Sequence, residues 1–199
     1  MNRHLPQQHT TTENGLDTAM QPIINSTFVS LDGVINHMDR WHFEYADEES
    51  AELALEQLNA ADTMLMGRNT YEIYAGAWPD RHDTFADRIN TMPKVVASTT
   101  LTDPTWENTT VLAGELVPAV RDLKQHNSGP ILMNGFGPIA KTLLSEGLLD
   151  EIHLWFNPAF AGAGGPGDVL LTPGLNHHLT HTATRTLGSG VVMLSYQAN

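Results

Sequence analysis

Cysteine is absent from the 199 residues, which excludes a disulfide framework, a thiolate nucleophile and any cysteine-ligated zinc. Basic residues are scarce: ten Lys and Arg stand against 23 Asp and Glu, for a formal net charge of −13. A nucleic-acid backbone is therefore not the expected partner, because neutralising phosphates needs a basic surface. Long apolar runs are missing too. No stretch approaches the roughly 18 apolar residues of a membrane span, and residues 1–21 lack the apolar core of a secretory signal. These absences point to a cytoplasmic protein that acts on a small molecule, away from membranes. They also raise the information carried by any cation placed at a glycine-bearing junction.

Polar residues dominate positions 1–21 (Gln7, Gln8, His9, Thr10, Thr11, Thr12), with too little apolar surface to offset ordering, so this stretch reads as a disordered tail. One domain is expected over 22–199. Strands are predicted over 23–31, 63–66, 94–98, 109–112, 131–133, 149–156, 169–171, 179–185 and 191–196, from short apolar or alternating runs. The last two read as a hairpin turned at Gly188–Gly190. Helices are predicted over 47–60, where Ala51, Leu53, Ala54, Leu55 and Leu58 fall at helical spacing, and over 69–74, 80–91 and 116–126. A further helix starts near Pro138, tolerated in a first turn, and closes at Gly147.

Strands alternating with helices over 47–157 imply right-handed crossovers and a mainly parallel α/β sheet covered on both faces. Ligands of such sheets sit at strand carboxyl ends. Three ends carry suitable chemistry: Gly67 to Thr70, Ser98 to Thr100 and Asn134 to Pro138. In the first, the apolar run Met64-Leu65-Met66 stops at Gly67 and passes through Arg68, Asn69 and Thr70 into a helix. First-turn N–H groups lack intrahelical partners and carry partial positive charge, and Arg68 can fork onto phosphate oxygens. A strand-to-helix turn with a glycine is also common for purely structural reasons. A second glycine-bearing helix start, at Gly135-Phe136-Gly137-Pro138, favours the ligand reading.

Taken together these segments resemble the dihydrofolate reductase fold, and most closely the family of the riboflavin-biosynthesis reductase (RibD C-terminal) domain. The resemblance runs from about Ile23 to Tyr196. It rests on Phe28-Val29-Ser30-Leu31-Asp32-Gly33, on Met66-Gly67-Arg68-Asn69-Thr70-Tyr71-Glu72, on Val96-Ala97-Ser98-Thr99-Thr100 and on Gly135-Phe136-Gly137-Pro138. Gly147-Leu148-Leu149-Asp150-Glu151-Ile152-His153-Leu154, Pro158 and the 162–167 glycine run complete it. It implies a dihydrofolate reductase-like three-layer sandwich with a central mainly parallel sheet and a carboxyl-terminal antiparallel hairpin. It also implies NADPH as cofactor, held by Gly67, Arg68, Asn69, Thr70, Ser98, Thr99, Gly135, Phe136, Gly137 and Pro138, and a homodimer. Phe136 departs from the small residue many relatives carry, so its side chain must point away from the phosphate path.

The implied reaction is reduction of a small pteridine-, pyrimidine- or carbonyl-type substrate, with the proton supplied separately. Asp32 is the leading polar candidate, since a carboxyl group in an apolar cleft has its pKa raised and acts as an acid; Asp-Gly is equally ordinary turn chemistry. Trp41 and Tyr45 are candidates for stacking on a flat heterocycle, or for packing. Arg40 and Arg81 are the cations considered for a substrate phosphate. His37, His42, His177, His178 and His181 form no helical His-Glu-x-x-His pattern, so no metal is expected. The alternative is a nucleotide-, flavin- or pteridine-binding protein that keeps the fold without turnover.

Overall fold

Alternation along the strands determines how this chain layers. The computed structural model describes residues 20–199, so the expected tail lies, for residues 1–19, outside the described residues. The strands are β1 (Ile23–Ser30), β2 (Thr63–Gly67), β3 (Lys94–Ala97), β4 (Thr109–Val111), β5 (Ile131–Asn134), β6 (Glu151–Asn157), β7 (Leu179–Thr186) and β8 (Val192–Ala198). The helices are α1 (Glu48–Ala60), α2 (Arg68–Ala75), α3 (Thr84–Thr91), α4 (Leu116–His126) and α5 (Pro138–Ser145). Ile23, Leu65, Val95, Ile131, Met133 and Ile152 pack against Val120 of α4 and Ala140, Leu143 and Leu144 of α5. Their neighbours Met64, Met66, Val96 and Leu132 point to the other face, against Leu58 of α1, Tyr71 of α2 and Ile89 of α3. Truncating one of these buried residues, Leu143→Ala for example, costs about 2–5 kcal/mol.

The sheet has the order β4-β3-β2-β5-β1-β6-β8-β7. Pairings from β4 through β6 are parallel, and β8 and β7 add antiparallel, as the expected hairpin requires. Running outward from β1, the chain passes through α1, α2 and α3 on one face; it returns through α4 and α5 on the other. The neighbouring ends of β2 and β5 therefore send their helices to opposite faces, which opens a crevice between them.

Two expectations need correction. The helix predicted over 80–91 begins only at Thr84, because the Asp83 carboxylate accepts from Ala86 N at 2.8 Å and caps it there. The strand predicted over 169–171 reduces to a single bridged pair, Val34 with Val169. Two short 3-10 turns, Met38–Arg40 and Phe43–Tyr45, were not anticipated. Two of the ten cations are structural. Lys94 Nζ donates to the carbonyls of Ile89, Asn90 and Met92 at 2.8–2.9 Å, closing the end of α3. Lys124 Nζ bonds Leu148 O and Asp150 Oδ2. Neither is available to a ligand.

Candidate functional site

The carboxyl edge of the sheet is built from two glycine-started helices. Helix α1 is closed by Asp47, which accepts from Ser50 N at 2.8 Å, whereas α2 and α5 begin at Gly67 and Gly137 with no side chain over their first N–H groups. These two starts are close together. A Cβ on Gly67 would stand 2.9 Å from Ile139 Cδ1 of α5, and one on Gly135 would stand 3.9 Å from Thr70 Oγ1. A side chain at 67 would have to displace the end of Ile139, and at 135 glycine is favoured by a φ of 80° that side-chain-bearing residues rarely adopt. Asn25 Nδ2 holds Gly135 O at 2.8 Å and Gly135 N donates to Ser26 O, fixing the turn. Phe136 is buried in the α4–α5 core, 4% exposed, so its side chain leaves the crevice clear.

Arg68 leans along the edge toward the end of β3. Its Nε lies 2.6 Å from Glu72 Oε1 and its guanidinium donates to Thr100 Oγ1 at 2.5 Å. Both partners are exposed, so the ion pair holds the side chain only weakly and an incoming anion competes for it. Ser98 Oγ accepts from Leu101 N and Thr100 N, folding 98–101 into a tight turn. The hydroxyl that meets Arg68 is therefore that of Thr100; Thr99 is exposed beside it and Asn69 is exposed in the first turn of α2. Farther along the same edge, a concavity of about 420 Å³ lies between the end of β4 and the start of α4, lined by Leu112, Gly114, Glu115 and Pro118.

At the end of β1 the arrangement is closed. Asp32 accepts from Ser30 Oγ at 2.5 Å, Ala161 N at 3.0 Å and Gly162 N at 2.9 Å. The Ser30 hydroxyl first, then the Gly162 and Ala161 N–H groups, lower its pKa to about 2. This reverses the expectation of a raised pKa: the carboxylate accepts three hydrogen bonds that favour its ionised form, and is not held as an acid. Leu31 N donates to Ala159 O, Ile35 N to Asp168 O and Leu170 N to Gly33 O, so segments 31–37 and 159–170 are clasped along their length. Asn36 and His37 reach Asp168 as well.

Of the two readings of the aromatic candidates, the structure shows packing. Trp41 is buried and its indole N–H donates to Asn36 O at 2.8 Å, which commits it to packing. Tyr45 is half-buried against the Trp155 cluster, with its hydroxyl donating to Pro158 O at 3.3 Å. Exposed aromatic faces near the ends of β1 and β6 belong instead to Phe43 and Phe160. Arg81 lies over the Trp78 ring at 4.9 Å, while Arg40 is exposed.

Other polar groups escaped the sequence reading because their partners are distant in the chain. Trp155 Nε1 donates to Ser26 Oγ, Ser26 Oγ to Gln57 Oε1, Gln57 Nε2 to His153 Nδ1, and His153 Nε2 faces Glu151 Oε2 at 3.4 Å. Each member donates in the same direction, from indole to carboxylate. Burial lowers the pKa of His153, opposed by Glu151. His42 is also buried, stacked 4.0 Å from Phe28 and 3.2 Å from Asn157 Oδ1. Among the described residues no group of three or more His, Asp or Glu is placed to hold a metal ion, and no helix is long and apolar enough to cross a membrane.

A mainly parallel sheet in this order, with helices on both faces and two uncapped glycine starts at adjacent strand ends, defines an α/β protein of the dihydrofolate reductase type. The chain belongs to the RibD C-terminal domain family, whose model matches residues 21–193. No curated protein matches it in sequence. Among solved structures it is similar to a putative riboflavin biosynthesis protein from Shewanella sp. PV-4, at 21% identity and a TM-score of 0.69 over 90% of this chain and 99% of that one. A pyrimidine reductase-like protein from Corynebacterium diphtheriae aligns at 13% identity and a TM-score of 0.65, over 90% and 92% of the two chains. A diaminohydroxyphosphoribosylaminopyrimidine deaminase/5-amino-6-(5-phosphoribosylamino)uracil reductase from Thermotoga maritima aligns at 13% identity and a TM-score of 0.62, over 90% of this chain and 57% of that longer one. At these identities the likenesses establish the fold.

Proposed function

We propose that the chain is an NADPH-dependent reductase of a small pyrimidine-type heterocycle. The observation that carries this reading is the meeting of two uncapped, glycine-started helices at the adjacent ends of β2 and β5, with Arg68 and Thr100 beside them. The N–H groups at Gly67–Thr70 and at Gly135–Gly137 would hold the pyrophosphate, with Pro138 fixing the first turn of α5. Arg68, Ser98, Thr99 and Thr100 would meet the adenosine 2′-phosphate, and the concavity beyond β4 would take the adenine. Bound NADPH supplies the hydride for a polarised C=N or C=O. The chain's own part is to orient the reactants and exclude water. The clasp of 31–37 on 159–170 serves that end, with Asp32 as its anchor, and the proton comes from another donor. The family, and the names of the structural neighbours, favour a pyrimidine over a folate.

A titration with NADPH, with NADH and FMN as comparisons, tests this through nicotinamide fluorescence and thermal stability. Ligand at a hundredfold excess over its Kd stabilises by about 2.7 kcal/mol, which raises the Tm by roughly 5–10 °C in a chain of this size. Absence of NADPH binding overturns the reading. The filled carboxylate of Asp32 favours one second reading, a binder on the same fold that lacks a proton donor; NADPH binding without oxidation in the presence of pyrimidines would establish it. We propose also that the chain forms a homodimer. Strand β7 is the sheet's edge, exposed from Thr180 to Thr186, and an unpaired edge offers backbone groups to a second copy. Light scattering that finds monomers removes this part.

A further inference from the structure

Asp32 is committed to the clasp, so the titratable group of interest at the ends of β1 and β6 is His42. Ser30 and Asn157 are register partners there, and His42, at the start of the second 3-10 turn, lays its imidazole against Asn157. Phe28 stacks on the ring at 4.0 Å, and Phe43 and Trp41 frame it at 5.4 and 6.0 Å. The amide of Asn157 is oriented by its own bond, Nδ2 donating to Trp155 O at 2.9 Å, so its Oδ1 faces His42 Nδ1. An oxygen can only accept; Nδ1 therefore carries the hydrogen and Nε2 keeps its lone pair. Burial favours the neutral ring by lowering its pKa, against the smaller opposing effect of Asn157. Among the described residues the buried side-chain N and O atoms without partners are His177 Nε2 and Ser189 Oγ. Among the described residues His42 Nε2 has no protein partner and is not one of these two, so the atom keeps some contact with solvent although the residue is only 8% exposed. A fixed acceptor of this kind, framed by aromatic rings, suits a planar molecule that presents a ring N–H or an amino hydrogen.

We infer that His42 Nε2 accepts a hydrogen bond from the pyrimidine-type substrate and orients it at the ends of β1 and β6, with Phe43 beside the ring. The substrate class rests on the reductase reading; the acceptor itself does not depend on turnover. The histidine ring nitrogens are observed by ¹⁵N NMR in the intact protein, first free and then with 5,6-diaminouracil, in the absence of NADPH. The expected result is the Nδ1–H form of His42 in the free protein and a displaced Nε2 resonance on adding the pyrimidine. His42→Asn keeps a donor to Asn157 but removes the acceptor, and is expected to weaken pyrimidine binding roughly three- to tenfold. His42→Gln carries an oxygen to the Nε2 position and is expected to restore most of the affinity. An Nε2–H form, an unmoved Nε2 on adding the pyrimidine, or equal affinity in His42→Asn overturns the inference. Failure of the reductase reading shows separately, as absence of NADPH binding with the Nε2 displacement intact.

Discussion

The two halves of the sheet's carboxyl edge treat charge in opposite ways. At β2 and β5 the helices begin on glycine, and among the described residues no side chain caps their first N–H groups. At β1 an ionised carboxylate has already gathered a hydroxyl and two backbone N–H groups. The first half has donors without an anion; the second has an anion that already accepts three hydrogen bonds from its own chain. A polar residue at a strand end thus identifies a ligand group only when its own chain leaves it unpaired. In a protein of net charge −13, the uncapped half is where an anionic ligand finds compensation.

The largest expected effect comes from closing the open half. Gly67→Val places a branched side chain where even a Cβ stands 2.9 Å from Ile139 Cδ1. Overpacking of this kind costs about 1–3 kcal/mol, and it forces the Ile139 side chain at the start of α5 to move. A Tm lowered by several degrees and loss of measurable NADPH binding are expected; an unchanged melt and titration would show that the two helix starts are not in contact. Next in size is Arg68→Ala. Hydrogen bonds to a charged group contribute about 1.5–3 kcal/mol, so NADPH should bind roughly ten- to a hundredfold more weakly while NADH changes little. Equal losses for the two cofactors would remove Arg68 from the 2′-phosphate.

The closed half predicts loosening, not loss. Asp32→Asn keeps one acceptor oxygen and exchanges the other for a donor that faces the N–H of either Ala161 or Gly162. Faster proteolysis and hydrogen exchange across 159–168 are expected, with the melting temperature less affected. Because the pKa of Asp32 lies near 2 in the fold, below its unfolded value, the anchoring is fully present above about pH 4 and is lost only as pH falls toward 2. Exchange rates of the Ala161 and Gly162 amides, corrected for intrinsic chemistry, should therefore stay constant from pH 5 to 9. A transition within that interval would show that the carboxylate is not held as described.

Local signals made the fold legible. Alternating strands, the 3.6-residue spacing of α1 and the glycine and proline at the start of α5 each arise from a few consecutive residues. The family model and the sheet order agree with the architecture those signals imply. What stayed hidden depends on partners remote in sequence. Nothing near Asp32 announces that Ala161 and Gly162 will reach it, and Trp41 looks available for stacking until Asn36 O is placed under its N–H. Thr100 lies one residue beyond Ser98 and Thr99, and it is the hydroxyl that Arg68 meets. Ser26, Gln57 and His153 lie in three separate elements and carry no shared motif, so only the packing of α1 on β1 and β6 joins them. His42 was noted only as a possible metal ligand, because Asn157 lies 115 residues away.

The smallest effect separates the acceptor role of His42 from its role in the fold. Burial lowers its pKa below the ordinary 6.5, and the same cause lowers that of His153. In the window beneath 6.5 the unfolded chain therefore binds more protons than the folded one, so stability rises with pH through that window and is lost as pH falls. Both histidines contribute to the slope. In His42→Phe the part due to this ring is removed, and denaturant melts between pH 5 and 7 should show a shallower dependence, as should His153→Phe for its own part. A slope unchanged in both variants would mean that the two rings are free to charge in the folded state. For His42 that outcome contradicts a neutral ring held between Phe28 and Asn157, because an imidazolium there would carry hydrogen on both nitrogens and leave no lone pair at Nε2.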